Sequence, residues 1–106
     1  MAWFILFCAG ILETVWAFYM KKSDGFTLLV PSIITVLTMI ASFALLAVAM
    51  KSLPLGTAYA VWTGIGTAGA VVAGIAFLGE QATAARLVAV ASILFGIVLL
   101  KLCDGK

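Results

Sequence analysis

Gly10-Ile11-Leu12-Glu13-Thr14-Val15-Trp16 sets one carboxylate inside a run that is otherwise apolar. From Ala2 to Tyr19 the only other ionisable side chains are Cys8 and Tyr19. As a helix this run spans roughly 27 Å, enough to cross the hydrocarbon layer, and Glu13 falls within about one turn of its middle. A charged side chain at that depth costs about 2.5–3.5 kcal/mol on insertion scales, so such groups face a cavity or another helix. Glu13 is either a protonated carboxyl tolerated in a helix seam or a site for a proton or a cation. We take the second reading.

The rest of the chain agrees with a membrane setting. Of its 106 residues 66% are apolar and 9% are charged, whereas a soluble domain is about half apolar and a quarter charged. Apart from Glu13, the charged residues sit between apolar runs or near their ends. The net charge of +2 forms no basic patch, so nucleic acid is excluded as a partner. Cys8 and Cys103 lie in or beside apolar segments and read as small buried hydrophobes, not as a disulfide framework. There is no histidine and no cluster of Cys, Asp or Glu, so neither a metal site nor a cofactor is expected. The N-terminus has no basic segment ahead of the apolar run, and a cleaved signal peptide is not expected.

Four apolar segments follow one another: Ala2–Tyr19, Phe26–Met50, Thr57–Leu78 and Ala84–Leu102. Turns rich in Lys, Ser, Gly and Pro separate them. Pro31 lies in the first turns of the second segment, where a missing N–H is harmless, and Thr83 is placed to cap the fourth. The expectation is an all-α membrane protein, residues 1–106 forming a single domain of four transmembrane helices with no room for a soluble domain.

Helices pack in lipid through small residues. Ala85, Ala89, Ser92 and Gly96 recur on one face of the fourth segment, a smooth face without chemistry that reads as a contact to another subunit. The third segment carries Gly64, Gly66, Gly69 and Gly74. Gly64-Ile65-Gly66-Thr67-Ala68-Gly69 matches the dinucleotide-binding pattern formally, but that pattern needs a strand before it and a soluble βαβ unit. The glycines read instead as sites of close helix approach and of a bend.

Helical spacing places Gly10, Glu13, Trp16 and Ala17 on one face of the first segment. The second segment carries Thr35, Thr38 and Ser42, and the third carries Tyr59, Trp62 and Thr63. Ser and Thr in membrane helices often bond their own i−4 carbonyl, and Trp and Tyr often belong to interfacial belts. Trp3 fits a belt, whereas Trp16 and Trp62 lie deeper and are read as cavity residues. A carboxylate among indole and phenol rings is a cation site in physical terms, since ring faces attract cations and hydroxyls can fix the carboxylate. One carboxylate that holds either a proton or a cation is the simplest basis for exchange of the two.

If the helices alternate, Lys51, Lys101 and Lys106 lie on one side of the membrane and Lys21, Lys22 and Arg86 on the other. Three side-chain cations against three give no orienting bias, so insertion in both directions is expected. Two oppositely inserted copies would pair about a two-fold axis in the membrane plane, as inverted repeats do in larger transporters.

The length, the short loops, the membrane glutamate and Gly56-Thr57-Ala58-Tyr59-Ala60-Val61-Trp62-Thr63-Gly64-Ile65-Gly66 resemble the small multidrug resistance family along the entire chain. Trp16, Trp62-Thr63-Gly64 and Lys101 resemble its guanidinium-exporting branch. The resemblance implies an antiparallel homodimer in the bacterial inner membrane that exchanges protons for guanidinium-type cations. It implies Glu13 as the proton and substrate site, with Gly10, Trp16, Ser42, Tyr59, Trp62 and Thr63 around it. Three positions depart from the pattern: Leu28 stands where relatives often carry arginine, and Thr14 and Thr67 add hydroxyls. The alternatives are an exporter of quaternary ammonium and lipophilic cations, and a membrane assembly subunit that transports nothing.

Overall fold

A computed structural model describes residues 1–104. Lys106, counted above in the charge balance, lies outside the described residues. Four helices follow in order: α1 (Ala2–Lys22), α2 (Leu29–Ala49), α3 (Leu55–Phe77) and α4 (Ala84–Asp104). Each has a stretch long and apolar enough to cross a membrane, as their sequences require.

The helix ends have local causes. α1 runs on to Lys22, where Lys21 and Lys22 set positive charge beside its C-terminal carbonyls. Ser23 stops it: its hydroxyl donates to the Met20 carbonyl at 2.7 Å and accepts the Phe26 N–H at 3.0 Å. Asp24, Gly25 and Phe26 then take positive φ values of 51°, 71° and 67°. That left-handed corner is why α2 begins at Leu29, later than the apolar run alone suggests. Pro31 falls in the first turn of α2, where no helical N–H is lost. α3 begins directly after Pro54, and Thr83 Oγ1 caps α4 by accepting the Arg86 N–H at 3.2 Å.

α1 lies between α2 and α3, and α4 has its backbone beside α3 alone. The molecule measures 42 × 34 × 17 Å, half as thick as it is wide, a flattened row and not a closed bundle. Its core sits where α1, α2 and α3 meet, built from Leu6, Ala9, Leu46, Ala49, Leu53, Ala58, Val61 and Trp62. α4 reaches this core only at its edge, through Ile97 and Leu100. Large apolar side chains such as Phe4, Leu37, Val88 and Phe95 are more than half exposed, which suits a lipid solvent and no other.

Small residues set the spacing. A β-carbon built on Gly64 would fall 2.9 Å from Ile97 Cδ1 and 3.2 Å from Ile93 Cγ2, so α4 docks on α3 where α3 has no side chain. Along the other edge of α4, Ala85, Ala89 and Ser92 are exposed and Gly96 is half-buried. A β-carbon on Gly96 would meet nothing within 4 Å, and the Ser92 hydroxyl returns to the Val88 carbonyl of its own helix at 2.9 Å.

Candidate functional site

Glu13 leaves α1 toward α3 and is half-buried. Its side chain lies on Gly66 so closely that a β-carbon built there would fall on the carboxylate, 2.7 Å from Glu13 Cγ. Any residue larger than glycine at 66 would take the space the carboxylate occupies. Glu13 Oε1 is buried and has no hydrogen-bond partner. One turn along α1, Trp16 Nε1 is buried without a partner as well. An acceptor and a donor left bare in apolar surroundings each cost free energy comparable to a lost hydrogen bond. Groups kept in that condition are suited to a ligand that satisfies them.

A polar node lies one turn away on both helices. Ser42 of α2 is fully buried and donates its hydroxyl to the Ala9 carbonyl of α1 at 2.7 Å. The same oxygen accepts the Trp62 Nε1–H of α3 at 2.9 Å. One hydroxyl therefore joins three helices, and it holds Trp62 with its indole nitrogen satisfied. Ala9 precedes Glu13 by four residues and Trp62 precedes Gly66 by four, so the node is stacked one turn from the carboxylate on both helices.

Aromatic rings continue from it. Phe43 stands edge-on to Trp62 at 5.5 Å between centroids and to Trp16 at 6.4 Å, and Tyr59 is tilted against Trp62 at 5.8 Å. The row Trp16–Phe43–Trp62–Tyr59 thus draws rings from α1, α2 and α3. Ring faces of this kind attract cations, most strongly where water is scarce.

The remaining expected residues are placed as follows. Of the α2 hydroxyls, Thr35 and Thr38 bond their own i−4 carbonyls, Pro31 and Ile34, at 2.8 and 2.7 Å, and Ser42 alone of the three leaves its helix. Thr63 also donates to its own helix, to the Tyr59 carbonyl at 2.9 Å. Gly10 is buried under Ile65, whose Cβ would lie 2.7 Å from a β-carbon built there. It is therefore a seat for α3, and within one chain it opens no pocket space. Gly69 faces Thr14, whose hydroxyl a β-carbon at 69 would strike.

Two residues at the site were not singled out for it from sequence. Phe43 bridges the two deep indoles, and its signal was only its place beside Ser42. Thr14 stands out in the sequence as an added hydroxyl, but nothing there names its partner on α3. Among the described residues no group of His, Cys, Asp or Glu stands together as a metal-binding set.

Comparison with known proteins adds an independent finding. The family model described as Small Multidrug Resistance protein matches residues 1–102. A protein of Escherichia coli (strain K12) named guanidinium exporter is 60% identical over 102 residues, covering 96% of this chain and 97% of that one. A protein of the same name from Yersinia pseudotuberculosis is 59% identical over 104 residues, covering 98% of this chain and 100% of its own. A third, from Citrobacter freundii, is 56% identical over 102 residues. These relatives are named as exporters and not as enzymes. On the family match and these identities, this chain, a multi-pass membrane protein, belongs to the small multidrug resistance family.

Proposed function

We propose that the chain exchanges protons for guanidinium and related small guanidinyl cations across the bacterial inner membrane, working as an antiparallel homodimer of dual topology. The observation that carries this reading is the bare pair at mid-helix, Glu13 Oε1 and Trp16 Nε1, beside a row of rings. Guanidinium is planar, offers parallel N–H donors that match a carboxylate two at a time, and stacks on aromatic planes. Glu13 supplies the charge and Trp62 and Tyr59 supply ring faces. Trp16 is a rigid wall that limits how wide a ligand can be. A proton on Glu13 and a cation against it exclude one another, which couples the two gradients. Relatives named guanidinium exporters support the substrate class.

The test is a panel of guanidinium, guanylurea, methylated guanidiniums and tetraalkyl- or aryl-ammonium ions in proteoliposomes under a proton gradient. Guanidinium and its small planar derivatives are expected to be transported in preference to bulky aromatic cations. Trp16→Gly is expected to shift tolerance toward the bulky ions, because the indole that excludes them is gone. A wild-type protein that prefers lipophilic ammonium ions would instead mark an exporter of the quaternary-ammonium type.

The flattened shape supports a dimer. A row of helices 17 Å thick leaves Glu13 without enclosure on every side, so a transport route needs a second copy. The open edge Ala85, Ala89, Ser92 and Gly96 gives two inverted α4 helices a smooth surface to share. Adding two lysines near the C-terminus is expected to hold that end in the cytoplasm, because the native charge balance is even. Expressed alone, this variant should lose transport, and co-expression with a variant charged on the opposite loops should restore it. Full transport by the fixed-orientation variant alone would rule out the antiparallel pair.

A further inference from the structure

Thr14 stands next to Glu13 but touches α3 at a different point. Its Oγ1 lies 3.3 Å from the Gly10 carbonyl of its own helix and 3.4 Å from the Gly66 carbonyl of α3. A hydroxyl has one hydrogen to give, so the two carbonyls share it. The space for this side chain exists only because residue 69 is glycine: a β-carbon there would strike the Thr14 hydroxyl and lie 2.9 Å from its methyl. Glu13 fills the preceding notch, at Gly66. Two adjacent residues of α1 therefore enter two glycine notches one turn apart on α3.

The geometry points to Thr14 as a positioning residue for Glu13. Neighbouring residues on a helix diverge by about 100° around its axis. A fork of two such side chains closing on α3 at two points fixes how far α1 is rotated about that axis. The direction in which the carboxylate faces follows from that rotation. Gly66 takes part twice, its α-carbon under Glu13 and its carbonyl toward the Thr14 hydroxyl. The hydroxyl thus ties the register of the two helices to the residue on which the carboxylate rests. An apolar isostere at 14 would fill the notch without making that tie. The inference rests on the reading of Glu13 as the cation site.

The test compares Thr14→Val, which keeps the shape and loses the hydroxyl, Thr14→Ala, which loses both, and Thr14→Ser, which keeps the hydroxyl. In bilayers containing protein labelled with 13C-glutamate, the Glu13 carboxyl signal is expected to move in the valine and alanine variants and to return in the serine variant. Guanidinium KM is expected to rise about 3- to 10-fold in the first two, the effect of losing one shared hydrogen bond, with a smaller change in kcat. Serine should restore it. A Glu13 signal unmoved in both Thr14→Val and Thr14→Ala, or a serine variant that resembles valine, would overturn the inference. If the wild-type protein transports no guanidinium, the proposed function fails, while the carboxyl signal still decides the role of Thr14.

Discussion

Glu13→Gln is expected to abolish gradient-driven exchange while leaving a folded dimer. Glutamine has nearly the same volume, so it can lie on Gly66 as glutamate does. What it lacks is a titrating proton and a charge. Without a proton to surrender, a downhill flow of protons no longer drives a cation uphill. Without charge, one of two charge-assisted hydrogen bonds to a guanidinium, each about 1.5–3 kcal/mol, becomes an ordinary one. The other is lost, because the amide NH2 donates and cannot accept, and affinity falls on the order of 100-fold or more. Proton flux and radiolabelled guanidinium uptake in the same proteoliposomes measure both consequences. Robust coupled transport by the glutamine variant would remove Glu13 from the mechanism. Glu13→Asp, shorter by one methylene, should keep partial activity, since charge and proton remain but the reach changes.

Gly66→Ala is the second large effect and needs no change of charge. The new β-carbon would occupy the position of the Glu13 carboxylate, with Cγ at 2.7 Å. Either the glutamate side chain turns away or α1 and α3 separate. Overpacking of this kind costs about 1–3 kcal/mol of stability. A misplacement near 1 Å at a reacting or binding group is worth on the order of 100-fold in rate. Transport is therefore expected to fall far more than stability does. Gly56→Ala is the matched control: Gly56 is exposed in the first turn of α3, a β-carbon there meets nothing within 4 Å, and little change is expected. If the two alanine variants transport equally well, the close seat of Glu13 on Gly66 has no functional weight.

Most of the fold is legible in the sequence, because each helix is a long apolar run with at most one charge in its middle and each loop contains a stop. The largest boundary shifts flank Ser23, with α1 running on to Lys22 and α2 starting at Leu29, where Asp24 and Phe26 accept a left-handed backbone that composition does not announce. α3 also starts earlier than expected, at Leu55, and α4 ends later, at Asp104. The site is legible in part. Glu13, Trp16, Ser42 and Trp62 stand out by depth, since a polar group within an apolar run has to be accounted for. Which helix each one meets is another matter. In water, the apolar stripe of a helix shows which side faces inward; in lipid both sides are apolar, and period alone names faces without naming neighbours. So Ser42 and Thr38, equivalent as hydroxyls on one stripe, part company only in three dimensions, one crossing to α1 and α3 and the other returning to its own turn. The glycines of α3 divide likewise: Gly64 receives α4, while Gly66 and Gly69 receive Glu13 and Thr14 of α1.

A molecule half as thick as it is wide keeps few of its side chains to itself. Leu37, Val88 and Phe95, each more than 60% exposed, leave their neighbours to be supplied from outside the chain, by lipid or a second copy, where a globular protein would supply its own atoms. Dispersion contacts that a water-soluble fold makes internally are here made with molecules that can be exchanged. The surrounding fluid is in that sense a structural component with a variable recipe. Chain length, saturation or a detergent in place of lipid alters the packing of the protein without touching its covalent structure.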